Sequence, residues 1–532
     1  MRNKEECSIL ADILFPDVVQ TPEDMFNKYP KRNLNDDSMV LRFAPSPTGF
    51  LHIGTVYTGM ICTILAKQSS GVSILRIEDT DKGREIENGI STIVNGLKDF
   101  GVYFDEGPID TKEYHGVYGP YIQSQRLDIY KVFAKQMVKD GNAYPCFLSE
   151  EELEEMRVRQ EEAGERTGCY GKWAVWREKG LEEVKERLDK GEKFVIRIYS
   201  TGNAENIFHT ADLIKGNLTL HENDMDMVLL KSDGYPTYHF AHPIDDTLMG
   251  ITHILRGDEW LPSQPLHREL FEKLGFKTLP YGHLSPLMKS DNGNRRKLSK
   301  RKDPEADVLY YIERGYPKDG IKEYLLNIAN SNFYDWRIQN PNIKADEFVL
   351  KIEKMNKAGA LFDIVKLNDT CKEYISRLNA QTVYDMSLDW AKNYNDGIAK
   401  LLEDNKEYCI NILNIEREGE KIRKDMVKFE DVKNQLEIFF DELIPDYENI
   451  SNRIDMDKQK MIVQKYLEVF NISENWFEDV RQLASTLGLS AGDVAMVLRV
   501  AITHRTKSPD LYQVIKVLGE EKVRERLEKY IS

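Results

Sequence analysis

The sequence predicts an α/β protein built on a doubly wound parallel sheet, with an α+β insertion and a following all-α region. From Met39 onward, short apolar runs typical of buried strands alternate with helical patterns. Between about residues 146 and 225, strand-like pieces rich in glycine, lysine and aromatic residues interrupt that alternation. Beyond residue 335, strand signals thin out and helical periodicity continues to the end. The predicted divisions of the chain are 1–38, 39–145, 146–225, 226–335 and 336–532.

The composition limits the class of protein. A chain of 532 residues is too long for one hydrophobic core. No apolar run approaches the ~20 residues of a membrane span, and the charged N-terminus lacks the apolar stretch of a secretory signal. Six scattered cysteines do not make a disulfide framework, which favours a reducing cytoplasm. The net charge of −16 argues against a protein that coats nucleic acid nonspecifically, but it permits a specific RNA partner held by local basic patches.

The N-terminal extension, residues 1–38, carries apolar side chains of its own. They are Ile9, Leu10, Ile13, Leu14 and Phe15. We expect a short helix here, followed by a linker through residues 30–33. A packing role without chemistry is the simplest function for this segment.

The stretch from Leu41 to Gly54 is predicted to form a strand, a loop and a turn. Prolines and glycines shape the loop, and a helix pattern begins at Thr55. Free backbone N–H groups and the positive end of a helix dipole make such a turn suitable for phosphate. Gly54 would let the flat base of a nucleotide approach the backbone, and His52 could donate to charge developing on an α-phosphate. The simpler interpretation is a turn whose histidine caps the helix.

Polar clusters follow two later strands. The strand at 72–77 ends in the acidic cluster 78–81, and the strand at 251–255 delivers the polar run 256–260. Ligands of doubly wound sheets sit at such carboxyl ends. The remaining predicted elements are a helix at 150–163 begun by a capping box of Ser149 and Glu152, strands at 194–199, 217–221, 227–230 and 284–288, a helix at 262–275, and a basic loop at 295–302.

Two distant stretches carry a family resemblance. Arg42-Phe43-Ala44-Pro45-Ser46-Pro47-Thr48-Gly49 with His52-Ile53-Gly54-Thr55, and the downstream Lys297-Leu298-Ser299-Lys300-Arg301, resemble the two signatures of class I aminoacyl-tRNA synthetases. Thr55 replaces the usual final histidine, a variation common in the glutamyl branch. Further motifs at 76–81, 118–126, 231–239 and 256–260 resemble those of bacterial glutamyl-tRNA synthetases. The resemblance implies a Rossmann-type catalytic domain, an inserted acceptor-binding module and an all-α anticodon-binding domain.

The resemblance also implies a reaction and the residues for it. The α-carboxylate of glutamate attacks the α-phosphate of ATP, and the glutamyl-adenylate then esterifies the terminal adenosine of tRNA. The residues implied to stabilise charge on the phosphates are His52, Lys297, Ser299 and Lys300, with Lys300 the strongest candidate. Those implied to bind ATP are Pro45, Ser46, Gly54, Thr55, Glu259 and Lys300.

Glutamate has two carboxylates and one ammonium, so its pocket should combine guanidinium groups with an acid. The residues implied for it are Arg42, Ser46, Glu78, Tyr238, His242 and Arg256. Paired N–H groups explain the use of arginine on the carboxylates, and Glu78 matches the acid that receives the amino group. His242 stands where many relatives have an asparagine, which leaves the contacts on that side open.

The expected partners are L-glutamate, ATP with Mg²⁺ and the tRNA for glutamate, bound by a monomer in the cytoplasm. Some family members hold zinc in the insertion through closely spaced cysteines. Here Leu148 stands where the partner of Cys146 would be, and Cys169 has no second thiol nearby, so we expect no zinc. The sequence does not decide whether the tRNA for glutamine is also charged.

Three alternatives stay open. Glutaminyl-tRNA synthetases typically carry Pro-Glu-Pro-Asn-Gly in the first loop and end in β-barrels, unlike this chain. A glutamyl-queuosine-type enzyme lacks an anticodon domain, so residues 370–532 count against it. A paralogue that binds RNA or ATP without catalysis would not need His52, Lys300, Arg42 and Glu78.

Overall fold

The computed structural model describes residues 2–47, 49, 51–81, 83, 86, 88–299, 301–419, 422–450 and 454–532. Thr48 of the first signature and Lys300, the strongest catalytic candidate, lie outside the described residues. The contacts divide the chain into two compact units. The first comprises Met1–Val308, Leu325–Trp336 and Lys344–Phe362, and the second comprises Leu309–Tyr324, Arg337–Ile343 and Asp363–Ser532.

Helices and strands alternate along the chain up to residue 362. The helices are α1 (Lys4–Leu14), α2 (Pro22–Lys28), α3 (Ile53–Gln68), α4 (Gly89–Asp99), α5 (Leu127–Lys139), α6 (Glu150–Glu162), α7 (Leu181–Asp189), α8 (Tyr238–Leu248), α9 (Gln264–Lys273), α10 (Leu309–Glu313), α11 (Lys318–Ala329) and α12 (Asn332–Gln339). The strands are β1 (Val40–Phe43), β2 (Val72–Leu75), β3 (Gly107–Pro108), β4 (Tyr114–His115), β5 (Ala143–Cys146), β6 (Val195–Ile198), β7 (Ile207–Asp212), β8 (Gly216–His221), β9 (Val228–Leu230), β10 (Ile254–Gly257), β11 (Tyr281–Leu284), β12 (Leu287–Asp291), β13 (Asn294–Lys297) and β14 (Ala360–Leu361). Short 3₁₀ helices occur at Gln123–Arg126, Gly171–Trp173, Asp258–Ser263, Pro304–Ala306, Ala345–Glu347, Ile352–Lys354 and Phe429–Asp431.

Two pairs of parallel strands form the centre of the first unit. β1 pairs with β2, and β10 pairs with β11. β1 also lies beside the segment that leads into β10, since the backbone N–H of Thr252 donates to the carbonyl of Val40. The parallel α/β architecture predicted from the sequence is therefore confirmed. Its consequence is that β1 and β10 present Arg42 and Arg256 at the same edge of the sheet.

The insertion has the predicted α+β character. β5, β6 and β9 form an antiparallel sheet, and β7 and β8 form a hairpin. Helix α6 begins with the predicted capping box, in which Ser149 accepts from the N–H of Glu152 and the Glu152 carboxylate accepts from the N–H of Ser149. β7 ends at Asp212, beside the turn of this hairpin.

The strand predicted at 284–288 is wrong. β11 ends at Leu284 and β12 begins at Leu287. The break falls at Pro286, which has no N–H for a strand ladder. β10 likewise begins at Ile254 rather than at residue 251.

The basic segment predicted as a loop at 295–302 is partly a strand. β13 pairs antiparallel with β12 across a two-residue turn. Asn292 and Gly293 have φ of 50° and 84°, the backbone that such hairpins require. The Asn-Gly pair was therefore an available signal in the sequence.

The N-terminal extension forms two helices rather than the single helix expected. α1 packs against α5, and both α1 and α2 begin with capping boxes. In the linker, Arg32 donates to both carboxylate oxygens of Glu106 at 2.8 and 2.7 Å. The same guanidinium lies 3.8 Å from the centre of the Tyr118 ring.

The second unit is helical, as predicted. Its helices beyond residue 362 are α13 (Ile364–Ser376), α14 (Ala380–Tyr394), α15 (Asp396–Asp404), α16 (Lys406–Asn414), α17 (Val432–Leu436), α18 (Met456–Val469), α19 (Trp476–Leu487), α20 (Ala491–Thr503), α21 (Leu511–Leu518) and α22 (Glu520–Ile531). They share one apolar core that includes Trp476 and Leu498. Among the described residues, no single helix has the length and apolar character to cross a membrane, although α19 and α20, bent by 112°, meet both criteria as a pair.

Candidate active site

A cavity of about 460 Å³ opens at the carboxyl ends of the central parallel strands. Eleven of the predicted site residues line it: Arg42, Pro45, Ser46, His52, Gly54, Thr55, Glu78, Tyr238, Arg256, Glu259 and Lys297. His242 and Ser299 do not line it. The two signatures, separated by more than two hundred residues, thus contribute to one cavity.

His52 is the N-cap of α3, which begins at Ile53 instead of Thr55. Its Nδ1 accepts a hydrogen bond of 2.8 Å from the backbone N–H of Gly54. Nδ1 therefore carries no proton, the ring is neutral, and Nε2–H lies 3.3 Å from the carbonyl of Leu298. A side chain at position 54 would meet the His52 ring at 3.0 Å, which explains the glycine. Capping and the donor function are compatible, because they use different nitrogens.

Asp303 organises the second signature. Arg296 donates to both of its oxygens at 2.6 and 2.7 Å, and the backbone N–H of Ser299 donates to it at 2.9 Å. Lys297 extends from this loop to within 3.4 Å of Glu259. Both side chains of that last pair are more than half exposed, so their attraction is weak and the lysine can turn to another anion.

The buried carboxylate of Asp246 holds the Arg42 side chain in place. Its Nε lies 3.1 and 2.9 Å from the two oxygens of Asp246, and one NH1 hydrogen goes to the carbonyl of Leu255. Burial lowers the pKa of Arg42, but Asp246 together with Tyr238 and Glu78 raises it above its usual value. The guanidinium is therefore a fixed cation at the cavity wall with NH2 not engaged by any described residue.

Glu78 supplies the acid of the pocket. Its carboxylate accepts from NH2 of Arg76 at 3.2 Å. Burial raises the pKa of Glu78 to about 7, with Arg76 and Arg42 opposing the shift. This carboxyl is therefore close to the point where it loses its proton at physiological pH.

Arg256 is surrounded by hydrogen-bond acceptors. Its Nε donates to Nε2 of His283 at 3.0 Å, and NH1 donates to Nδ1 of His267 at 2.8 Å and to the hydroxyl of Tyr238 at 3.2 Å. NH2 donates to the carbonyl of Trp260 at 3.0 Å. Of the five N–H groups, one on NH2 remains for a ligand among the described residues. Arg256 thus offers one N–H beside the Tyr238 hydroxyl rather than the two-pronged pairing expected.

Comparison with known proteins is consistent with this geometry. The catalytic-domain family described as tRNA synthetases class I (E and Q) matches residues 38–369, and an anticodon binding domain matches residues 383–531. The chain is 43% identical to glutamate–tRNA ligase of Clostridium perfringens and 45% identical to that of Acetivibrio thermocellus, in each case over 98% of this chain and 99% of the relative. The chain belongs to the glutamate–tRNA ligase family. A crystal structure of glutamate tRNA ligase from Elizabethkingia meningosepticum in complex with its amino acid has a TM-score of 0.77 at 29% identity, covering 93% of this chain and 99% of that one.

His242 lies behind the pocket wall of this ligase fold rather than in the cavity. It is completely buried, its Nε2 lies 3.0 Å from the Tyr281 hydroxyl, and its Nδ1 lies 2.9 Å from Asp246. Burial lowers its pKa to about 4. Its ring stacks on Tyr238 at 5.6 Å. The structure therefore gives no support to a direct contact between His242 and glutamate.

Sequence reasoning missed a network of buried charges in this family member. Arg76 pairs with Asp246 at 2.5 Å and lies 3.8 Å from Asp245, which also accepts from Arg126 at 2.7 Å. All four side chains are essentially inaccessible to solvent. Two adjacent acids within the otherwise apolar stretch of α8 were the available signal, because buried carboxylates need partners.

Among the described residues, no set of three or more histidine, cysteine, aspartate or glutamate side chains is arranged to hold a metal ion. All six cysteines are buried free thiols. Arg197 lies beside Cys146 and Cys169, and both thiols contribute to raising its pKa although burial lowers it.

Proposed function

We propose that the protein activates L-glutamate with ATP and transfers it to the 3′ terminal adenosine of the tRNA for glutamate. The observation that carries this proposal is the single cavity lined by Arg42, Glu78 and Arg256 together with His52 and Lys297. Two guanidinium groups and one carboxyl complement the charges of glutamate. A neutral N–H donor and a lysine complement phosphate.

Within the pocket, Glu78 pairs with the substrate ammonium, and Arg42 and Arg256 each pair with a carboxylate. Tyr238 supports this arrangement because its hydroxyl accepts from Arg256 and keeps its own hydrogen to donate. The protein does little covalent chemistry. It holds an α-carboxylate against an α-phosphate, two anions that repel each other in water.

At the phosphates, Nε2–H of His52 turns from the Leu298 carbonyl to an oxygen of ATP. Lys297 leaves Glu259 for the departing pyrophosphate, and Ser299 and Lys300 are proposed to act from the same loop. Pro45, Ser46, Gly54, Thr55 and Glu259 are proposed to bind the nucleotide. Mg²⁺ would arrive with ATP and be held mainly by phosphates and water.

The tRNA is proposed to bind along the whole chain. The insertion at 146–225 would hold the acceptor end and residues 336–532 the anticodon, with the catalytic halves at 39–145 and 226–335. We also propose that the enzyme is a cytoplasmic monomer without zinc. The position of Arg197 supports the last point, because this cation already faces the thiols of Cys146 and Cys169.

The proposal is tested by ATP–pyrophosphate exchange with glutamate, run with and without tRNA, and by charging the purified tRNAs for glutamate and for glutamine side by side. We expect glutamate-dependent exchange and charging of the tRNA for glutamate. Absence of exchange under both conditions would identify a non-catalytic paralogue. Charging with glutamine would identify a glutaminyl enzyme.

Arg42→Ala tests the amino-acid pocket directly. The change removes a carboxylate partner and leaves the nucleotide site intact, so KM for glutamate should rise far more than KM for ATP. Equal losses for both substrates would contradict the role given to Arg42.

A further inference from the structure

Arg256 is the centre of a hydrogen-bonded network that joins five elements of the first unit. Arg256 lies on β10, His283 on β11, His267 on α9 and Asp212 at the end of β7. His283, His267 and Asp212 are almost completely buried. The hydrogen-bonded network continues from His267 to His239 on α8, with 3.0 Å between Nε2 of His267 and Nδ1 of His239.

The donor groups of Arg256 determine which ring nitrogens in this network carry protons. A guanidinium has only donors, so Nδ1 of His267 and Nε2 of His283 must both be acceptors. Each imidazole is therefore neutral and carries its proton on the other nitrogen. His267 donates from Nε2 to His239, and His283 donates from Nδ1 to Asp212, whose Oδ2 lies 2.6 Å away.

Asp212 is itself held in one orientation. Its Oδ1 accepts from the backbone N–H groups of Ile214 and Lys215 at 2.9 and 2.7 Å. Oδ2 is thereby left to face His283. Because that oxygen is an acceptor, it requires the proton of His283 to be on Nδ1, which is the less common form of a free imidazole in water.

The surroundings keep both rings neutral. Burial lowers the pKa of His267 well below its usual value, with His242 and Arg256 adding to the effect. Burial also lowers the pKa of His283 and outweighs the opposing effect of Asp212, and Arg256 adds to the lowering. A proton on either acceptor nitrogen would place a positive ring directly against the guanidinium.

We propose that His267 and His283, the latter oriented by Asp212, are positioning residues that hold Arg256 in the one orientation in which it can pair with a carboxylate of the amino-acid substrate. The inference rests on the proposed function, since it requires Arg256 to contact glutamate. The two rings and the Trp260 carbonyl occupy Nε, one NH1 hydrogen and one NH2 hydrogen. What remains exposed to the cavity is the second NH2 hydrogen beside the hydroxyl of Tyr238.

Three substitutions separate hydrogen bonding from shape. Asp212→Asn keeps the shape, but with Oδ1 still held by Ile214 and Lys215 it presents an N–H to His283, which moves the ring proton to Nε2 against Arg256. His267→Asn keeps an acceptor at the place of Nδ1, and His267→Leu has similar volume without an acceptor. His253→Asn serves as the control, because His253 contacts Thr252 and is not hydrogen-bonded to Arg256.

The measurement is ATP–pyrophosphate exchange by the full-length enzyme with tRNA present, with KM for glutamate and for ATP determined separately. Asp212→Asn and His267→Leu each remove a hydrogen bond that the charged guanidinium of Arg256 makes. This loss should raise KM for glutamate about 10- to 100-fold. KM for ATP should stay within about twofold, because neither residue reaches the nucleotide site, and His267→Asn should fall within about threefold of the wild type. Thermal unfolding of each variant shows whether it is folded. Asp212 and His267 lie on different elements, so one variant still tests the inference if the other fails to fold.

The inference is overturned if His267→Asn is as defective as His267→Leu, because shape rather than the acceptor would then matter. It is also overturned if Asp212→Asn and His267→Leu bind glutamate normally while Arg256→Gln does not, an outcome that would leave the proposed function intact. An unchanged KM in Arg256→Gln would remove the role of Arg256 and the inference with it. Nitrogen NMR of the ¹⁵N-histidine-labelled wild-type enzyme gives an independent readout, and a proton on Nε2 of His283 would contradict the proposal without any variant.

Discussion

Arg42, Arg76 and Asp246 place three charges where almost no water reaches them. Burying a charge is costly unless it is paired and hydrogen-bonded, and here one aspartate serves both arginines. Burial raises the pKa of Asp246, but Arg42 and Arg76 outweigh it and hold the pKa well below its usual range. Asp246 therefore stays ionised throughout the physiological range and fixes the direction of Arg42.

Asp246→Asn is expected to affect stability and glutamate binding together. Removing one partner of a buried charge network should lower the free energy of unfolding by about 3 kcal/mol. KM for glutamate should rise because Arg42 loses its support, and urea unfolding with exchange kinetics measures both effects. Asp99→Asn, at an exposed position, is the control, and a normal KM in a folded Asp246→Asn enzyme would argue against the positioning role.

The proposed pairing of Glu78 with the substrate ammonium predicts that glutamate binding depends on pH. Its pKa of about 7 means that the carboxyl is mostly protonated at pH 6 and mostly ionised at pH 8. The substrate ammonium pairs only with the ionised form. KM for glutamate should therefore fall about tenfold as pH rises from 6 to 8 and level off above that range. In Glu78→Gln, KM should be high and independent of this ionisation, and a wild-type profile in that variant would assign the dependence to another group.

At the scale of elements, the β12–β13 hairpin decides where the second signature lies. The turn at Asn292–Gly293 brings β13 back along β12, and Asp303 then ties Lys289, Arg296 and the backbone of Ser299 together. Hydrogen bonds from Arg296 contribute most to holding the pKa of Asp303 well below its usual range. The stabilisation by Asp303 is thus present above the ordinary carboxyl pKa and is lost as pH falls below it.

Asp303→Asn should loosen this loop without disturbing the amino-acid pocket. Losing the charged partner of Arg296 should reduce kcat of exchange about tenfold or more, since Lys297 and its neighbours would no longer be held in place. KM for glutamate should change little. Asp291→Asn is the matched control, because Asp291 also pairs with Arg296 but is about half exposed. Equal effects of the two substitutions would show that the buried contact has no special role.

Helix α3 shows how a functional residue alters an element boundary. The apolar pattern alone placed its start at Thr55, whereas the helix begins at Ile53 with His52 as its cap. A capping role for His52 was one of the two interpretations of the sequence, although histidine is not a common capping residue. The cap leaves Nε2 directed toward the second signature.

At the scale of the molecule, the N-terminal extension is part of the first unit. Arg32 and Glu106 are each about nine-tenths buried, and Tyr121 donates to the same carboxylate. In the same region, the Tyr29 hydroxyl donates to the carbonyl of Gly119, and that of Tyr118 donates to the carbonyl of Pro30. The extension is thereby anchored to the catalytic fold by polar contacts as well as by helix packing.

Arg32→Ala should destabilise the first unit although it is outside the active site. Loss of a two-pronged, mostly buried pair should cost about 2 kcal/mol, which lowers the thermal midpoint by several degrees. Thermal unfolding followed by circular dichroism measures the shift, and Lys31→Ala at an exposed neighbouring position should leave it unchanged. An unshifted midpoint in Arg32→Ala would mean that the pair contributes nothing net.

Much of the fold was predictable because its signals are local. Alternation of apolar strands and helices indicated the parallel α/β core, and periodicity indicated the helical unit. Errors fell at 284–302, where Pro286 and the Asn-Gly turn were overlooked, and at the boundaries of β10 and α3. The predicted division at 336 stays a prediction, and from Leu309 to Phe362 the chain alternates several times between the two units.

The sequence by itself determined the family, the order of its elements and eleven residues of the cavity wall, because motifs and strand ends are local features of the chain. Only the tertiary structure decided that Asp246 serves Arg42 and Arg76 together, that His242 lies behind the pocket, and that His267 and His283 hold Arg256. These contacts join residues far apart in sequence, and their energy depends on burial and direction. A sequence pattern does not predict which donor faces which acceptor in the buried interior.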